Sequence, residues 1–202
     1  MLEWITGLMN SMGYIAIVFL MFLENVFPPI PSELIMPLAG FTANQGKLTL
    51  VGVIIAGTIG SVLGTLPLYY IGKTIGEERL KTWADRHGKW LTVSASDIEN
   101  ATRWFEKHGN IAVLVGRLVP GVRSLIAVPA GIGKMNMGLF LVYSTIGSAL
   151  WTTLLGYAGY LLGANYHKVE KFLSPATYVV LGLFVAIYIY RVVQQQRAQT
   201  SS

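Results

Sequence analysis

The chain has 202 residues, of which 53% are hydrophobic and only 12% are charged. Its mean hydropathy of +0.54 therefore excludes an ordinary soluble domain, in which about a quarter of the residues are charged. The chain has no cysteine, which excludes disulfides and thiolate metal sites, and its net charge of +5 favours contact with anionic lipid over nucleic-acid binding. We predict an all-α integral membrane protein with a single membrane domain over residues 1–202.

The first apolar region, residues 14–46, is divided by a run of prolines. Proline interrupts a helix, and each arm that remains is shorter than the roughly 20 residues that a helix needs to cross a bilayer. We therefore predict a re-entrant helical hairpin, followed by a membrane-spanning helix at residues 48–72. Hairpin and span together form a first repeat, residues 12–72. The prolines of the break are Pro28, Pro29 and Pro31.

Residues 73–109 are polar, with seven lysines and arginines and six acids. Their apolar residues recur at helical spacing, which predicts amphipathic interfacial helices that connect the two halves of the chain. Residues 1–46 contain no lysine or arginine, whereas this connector and the tail at 191–202 contain several. The positive-inside rule therefore predicts that the connector and the C-terminus are cytoplasmic, with the N-terminus and the first hairpin facing outside.

The second half of the chain follows the same plan. An apolar region at residues 110–133 is broken at Pro120 and Gly121, and an unbroken apolar stretch follows at residues 137–163. These features predict a second re-entrant hairpin and a second span. A further apolar stretch at residues 173–190 predicts a C-terminal transmembrane helix.

Internal similarity indicates that the two halves are copies of one unit. At an offset of 87 residues, Thr58–Gly76 and Thr145–Gly163 are identical at ten of nineteen positions. At an offset of 92, Pro28, Ser32 and Pro37 fall on Pro120, Ser124 and Pro129. Because one predicted span separates the hairpins, the repeats at 12–72 and 110–163 must have opposite orientations in the membrane. Such inverted repeats are typical of transporters.

Small residues recur every four positions in the first span, at Gly52, Ala56, Gly60 and Gly64. A stripe of this kind lets two helices approach closely. It predicts close packing against a hairpin of the same chain or, as the alternative, a homodimer.

Four ionisable side chains lie beside the two hairpin breaks: Glu24, Glu33, Arg117 and Arg123. An ionised side chain at the bilayer centre costs about 2.5–3.5 kcal/mol on insertion scales, so these four must be paired, hydrated, protonated or matched by a ligand. In a structural interpretation the acids pair with the arginines. In a functional interpretation the arginines bind phosphate or carboxylate, assisted by Ser124 at the start of a half-helix, and the acids gate the site or carry protons.

Two runs also carry a family resemblance. The run ENVFPPIPSE at Glu24–Glu33 and the run GRLVPGVR at Gly116–Arg123, each followed by a motif with Pro, Ala and Gly, resemble the signature of the DedA family, also called SNARE-associated or VTT-domain proteins. The resemblance covers residues 12–165. It implies a multi-pass protein of the inner membrane with two opposed re-entrant hairpins. It also implies movement of undecaprenyl phosphate or of phospholipids that depends on the proton motive force. The family's functional positions fall on the four charged residues named above.

We therefore predict a flippase that moves a phosphate-bearing lipid, undecaprenyl phosphate or a phospholipid, across the inner (plasma) membrane, with no metal, cofactor or catalytic residue. Arg117, Arg123 and Ser124 are the predicted phosphate ligands, and Glu24 and Glu33 are predicted to couple transport to protons. One alternative is a proton-coupled exporter of small cations or drugs, although the two arginines would repel a cation. Others are an intramembrane lipid enzyme, which would need a nucleophile with a nearby base, and a membrane scaffold.

Overall fold

The computed structural model describes residues 2–26, 32–82, 95–119 and 122–163, and every regular element in these ranges is helical. The helices are α1 (Leu2–Met12), α2 (Tyr14–Val26), α3 (Ser32–Asn44), α4 (Leu50–Ile75), α5 (Ala95–His108), α6 (Asn110–Arg117), α7 (Ala127–Ile132) and α8 (Met137–Gly163). Residues 77–82 are also helical. The all-α prediction is thus confirmed for these residues. The hairpin breaks (Pro28, Pro29, Pro31, Pro120 and Gly121), the predicted span at 173–190 and the tail lie outside them.

The chain divides into two compact units. The second consists of residues 77–100 and 165–202, and its described part belongs to the polar connector. There Lys81 forms an ion pair with Glu77, with 2.6 Å between Nζ and Oε1, and this hydrogen bond raises the pKa of Lys81. The first unit consists of residues 1–76 and 101–164 and contains both hairpin regions and both long helices.

A helix that we did not predict precedes the first hairpin region. Helix α1 turns into α2 at Gly13, whose φ of +57° lies in the left-handed region that glycine adopts without strain. Ile5 and Met9 of α1 are buried in the same apolar cluster as Ile17 and Leu20 of α2. Helix α1 therefore extends the hydrophobic core of the first repeat.

Helices α4 and α8 are long and apolar enough to cross a membrane. They contain 26 and 27 residues, so at 1.5 Å per residue each is about 40 Å long, against a hydrocarbon core of about 30 Å. The Thr49 hydroxyl caps α4 by accepting from the Gly52 amide (3.2 Å), and Asn136 Oδ1 accepts from the Gly138 amide (2.8 Å) at the start of α8. Their exposed faces are apolar, as lipid contact requires: Ile55, Ile59 and Leu63 on α4, and Ile146, Leu150 and Leu154 on α8.

Each long helix packs mainly against one arm of each hairpin region. Helix α4 contacts α2 from the first region and α7 from the second, whereas α8 contacts α6 from the second and α3 from the first. The two long helices also contact each other. Gly72 of α4 lies against the Val128 carbonyl, and Gly159 of α8, its equivalent at the offset of 87, lies against the Pro37 carbonyl. These equivalent glycines therefore make similar contacts, each with an arm of the other hairpin region.

The small-residue stripe of α4 is covered within the chain. Gly60 lies against the backbone of Val18 on α2, and Gly64 lies against Phe22 one turn later. A larger residue at either position would overlap these atoms. The stripe therefore packs the span against the first hairpin region, which is the first of its two predicted roles.

Candidate functional site

Arg117, the last residue of α6, is among the largest fully buried side chains of the described residues, at 2% exposure. Its Nη1 donates to Asn25 Oδ1 (3.4 Å) and to the Arg123 carbonyl (3.2 Å). Its Nη2 donates to the Ser61 carbonyl (3.3 Å) and to Thr65 Oγ1 (3.3 Å). All four acceptors are neutral, and Nε has no hydrogen-bond partner in the described part of the chain. Among the described residues, dipoles alone therefore stabilise this permanent positive charge.

Arg123 lies in the turn between α6 and α7 and forms an ion pair with Glu24 near the end of α2. Both side chains are buried, with exposures of 4% and 7%. The second carboxylate oxygen, Oε2 of Glu24, has no hydrogen-bond partner among the described residues. The pair joins the two hairpin regions directly, and it is one of the acid–arginine pairs that the structural interpretation of the sequence predicts.

Glu33 occupies a different position. It lies half-buried in the first turn of α3, where its Oε2 accepts from the Ser32 hydroxyl (3.4 Å). Ser32 in turn accepts from Trp151 Nε1 of α8 (3.3 Å). Within the described ranges, Glu33 forms no ion pair with Arg117 or Arg123. The structure thus brings three of the four charged residues together and does not pair the fourth with them.

Asn25 links the two hairpin regions beside this charge cluster. It is 1% exposed, and its Oδ1 accepts from the Ser124 hydroxyl (3.0 Å) as well as from Arg117. Ser124 was expected at the start of a half-helix. That expectation is wrong, because α7 begins only at Ala127 and its first turn has no side-chain cap. The Ser124 hydroxyl is used instead to contact the other hairpin region.

Three residues of the cluster were missed by sequence reasoning: Asn25, Ser61 and Thr65. Two of them belong to a stripe of hydroxyl residues at helical spacing, Thr58, Ser61 and Thr65, which the second repeat keeps as Thr145, Ser148 and Thr152. Ser148 donates to Ser61 (3.4 Å), and the Thr58 and Thr152 hydroxyls are 3.0 Å apart. Polar residues that recur on one face of an apolar helix indicate a buried helix interface, and this was the available signal. Asn25 has no such periodic signal.

Within the described part of the chain, the cluster contains two buried arginines, Arg117 and Arg123, for one buried acid, Glu24, and these three side chains together carry a formal charge of +1. A buried ion pair roughly balances its desolvation cost, whereas an unmatched buried charge does not. Phosphate or carboxylate oxygens would match the planar guanidinium groups and supply the missing negative charge. The described residues include no group of three or more His, Cys, Asp and Glu side chains that could hold a metal.

The Glu24–Arg123 pair predicts a characteristic pattern of stabilities. Glu24→Ala should lower the free energy of unfolding by about 3–5 kcal/mol, because it leaves the Arg123 guanidinium buried without a counter-charge. The double change Glu24→Leu with Arg123→Leu should recover most of this loss, because two apolar side chains need no partner. Thermal unfolding in one detergent measures both variants. A double variant less stable than Glu24→Ala would contradict the assignment.

Comparison with known proteins places these features in a wider context. A family model described as the VTT domain matches residues 30–161. An alkaline phosphatase-like protein of Lactococcus lactis subsp. cremoris is 41% identical over 94% of this chain and 89% of its own length. Undecaprenyl phosphate transporter A of Staphylococcus aureus is 38% identical over 96% of this chain and 97% of its own length. Protein DedA of Escherichia coli is 30% identical over 68% of this chain and 62% of its own. No solved structure matches the chain.

Proposed function

Because the chain belongs to the VTT-domain (DedA) family of membrane proteins, we propose that it transports a phosphate-bearing lipid, undecaprenyl phosphate or a phospholipid, across the bacterial plasma membrane. The observation that carries the proposal is the buried Arg117, whose charge is matched by no acid among the described residues. A lipid phosphate would supply the missing charge while its hydrocarbon chain stays in the bilayer. The name of the Staphylococcus aureus relative, undecaprenyl phosphate transporter A, supports this substrate class.

The two arginines have unequal roles in this proposal. Four N–H groups of Arg117 are already donated to protein acceptors, so its contribution to a ligand is its positive charge and the unpartnered Nε–H. Arg123 is the arginine that exchanges partners, since its carboxylate partner, Glu24, can be replaced by the oxygens of a phosphate. Ser124 lies at the same turn, but its single hydroxyl proton is donated to Asn25 Oδ1, so it would donate to the phosphate only by leaving Asn25. The headgroup and Glu24 thus compete for Arg123.

In this proposal, protonation of Glu24 controls the same competition for Arg123. A proton that neutralises Glu24 removes the carboxylate charge and leaves Arg123 available to the phosphate; loss of that proton restores the ion pair and expels the headgroup. Glu33 is the second candidate for carrying a proton, since it is a half-buried acid in the first turn of α3. This cycle would link lipid movement to the proton gradient.

Alternating access follows from the repeats, which we place in opposite orientations with re-entrant hairpins entering from the two faces. Two contacts support this arrangement because they join equivalent positions of the repeats: Asn25 with Arg117 at the offset of 92, and Ser61 with Ser148 at the offset of 87. In this proposal, such contacts lie on the axis that relates the repeats. They are therefore preserved when the repeats exchange conformations.

The contact between Thr58 and Thr152 does not lie on that axis. Its equivalent in the exchanged conformation would join Thr145 and Thr65, but Thr145 is exposed and Thr65 binds Arg117. We take the described arrangement as one end of the transport cycle, in which the seam between α4 and α8 is asymmetric.

Reconstituted vesicles test the proposed substrate. Wild-type protein should move a fluorescent polyprenyl phosphate faster than protein-free vesicles, and Arg123→Ala or Arg117→Ala should slow it by at least about tenfold, the equivalent of one charge-assisted hydrogen bond. Lys134→Asn is the matched control, because it removes an exposed cation and asparagine tolerates the positive φ of this position. Transport by the arginine variants at the wild-type rate would contradict the proposal.

The same vesicles test whether the protein is a phosphatase, an activity that the name of the alkaline phosphatase-like relative raises. In the described structure the Ser124 hydroxyl donates to the neutral Asn25 amide, which cannot act as a base. Inorganic phosphate should therefore not be released while the lipid is moved. Release at a rate comparable to transport would indicate an enzyme instead.

Proton coupling is tested with Glu24→Gln, which keeps the size of the side chain and removes its charge. We expect this variant to bind the lipid phosphate at least as well as wild type, since Arg123 has lost its competitor, and to transport it at a rate independent of an imposed pH gradient. Glu33→Gln in the same assay shows whether the second acid contributes. A Glu24→Gln variant that keeps the wild-type response to the gradient would exclude Glu24 as the coupling residue.

The axis is tested with cysteine pairs, for which the chain is well suited because it contains no native cysteine. A disulfide between Ser61→Cys and Ser148→Cys should leave most of the transport activity, because that contact persists through the cycle. A disulfide between Thr58→Cys and Thr152→Cys should stop transport until it is reduced, because that contact must open. Equal effects of the two disulfides would contradict the exchange of conformations.

A further inference from the structure

The orientation of the Asn25 amide is determined by its partners. Its Nδ2 lies 2.8 Å from the Met21 carbonyl one turn earlier, and a carbonyl can only accept, so Nδ2 must face it. Oδ1 must then face the opposite side, where Arg117 Nη1 and the Ser124 hydroxyl both donate to it. All three contacts are consistent with a single orientation of a side chain that is 1% exposed. One neutral oxygen therefore holds two groups of the second hairpin region.

A carboxylate would fit the same space with a different consequence. Aspartate has the shape of asparagine and could accept from the same two donors, but it would add a negative charge against Arg117 and could not donate to the Met21 carbonyl. The cluster would then contain two acids for two arginines and no surplus charge. The neutrality of residue 25 is thus the property that leaves Arg117 available to an anion.

We infer that Asn25 is a positioning residue for the lipid phosphate: its amide oxygen holds Arg117 and Ser124 in place without neutralising Arg117. The inference rests on the proposed function and adds a residue to its site. Asn25 acts through Arg117 and Ser124 and need not touch the ligand itself. If the role of Asn25 is purely structural, an Asn25→Asp protein that folds should still bind the lipid phosphate. If its neutrality matters, that protein should bind the phosphate more weakly.

The test is Asn25→Asp in nanodiscs, with binding of a polyprenyl phosphate compared with that of the uncharged polyprenol. We expect phosphate binding to weaken by at least about tenfold, as for a lost charge-assisted contact. Thermal stability should change little, because the new charge pairs with Arg117 while the hydrogen bond from residue 25 to the Met21 carbonyl is lost. Asn136→Asp is the matched control. Asn136 Oδ1 accepts from the Gly138 and Leu139 amides at the start of α8, where aspartate serves equally well, so binding should not change.

A second variant separates charge from fold. Asn25→Asp combined with Glu24→Gln restores the wild-type charge of the cluster, and it should recover phosphate binding if the single variant fails through neutralisation. Binding by Asn25→Asp at the wild-type level, or no recovery in the double variant, would overturn the inference. If wild-type protein itself does not distinguish the phosphate from the alcohol, the proposed function fails. If Arg117→Ala loses binding and Asn25→Asp does not, the inference alone fails.

Discussion

The buried guanidinium of Arg117 is the constraint on which the arrangement of the described core depends. Arginine cannot discard its charge, and an apolar environment penalises that charge unless it is hydrogen-bonded or matched. Three parts of the fold therefore contact this guanidinium: α2, α4 and the turn after α6. Each element contributes a neutral acceptor, so the guanidinium also fixes the positions of these elements relative to one another.

Beside Arg117, the charge of Arg123 is stabilised in a different way, by the opposite charge of Glu24. There the charge is matched by a partner that can itself be neutralised, and the pair joins the same two hairpin regions that Asn25 joins. A fixed positive charge held by dipoles and a second one held by a titratable acid form a site with two distinct functions in our proposal. The first attracts a phosphate at all times, and the second admits it when the acid is protonated.

The predicted repeats would explain how such an asymmetric site can lie between two similar halves. Equivalent glycines of α4 and α8 pack against exchanged hairpin arms, and equivalent serines meet between the long helices. The side chains at the site differ, however: the position of Asn25 in the first repeat is that of Arg117 in the second. In our proposal, duplication provides the scaffold, and divergence at a few positions provides the chemistry.

The sequence alone determined three properties: the all-helical membrane class, the two long helices and the need of four charged side chains for partners inside the protein. The signals were the composition, the proline breaks and the length of the apolar stretches. These properties are local, because the cost of exposing backbone or charge to lipid is paid wherever the residue lies. Helix α1 was missed because no feature of residues 2–12 indicates, from the sequence alone, that they form a helix packed against the rest of the chain. Only the tertiary structure decided that Glu24 rather than Glu33 pairs with Arg123, and that Ser124 contacts Asn25 rather than capping a helix. It also decided that, among the described residues, all hydrogen-bond partners of Arg117 are neutral. Those outcomes depend on the register of α2 and α6 against the long helices, which is set by close packing over many residues and leaves no local pattern in the sequence.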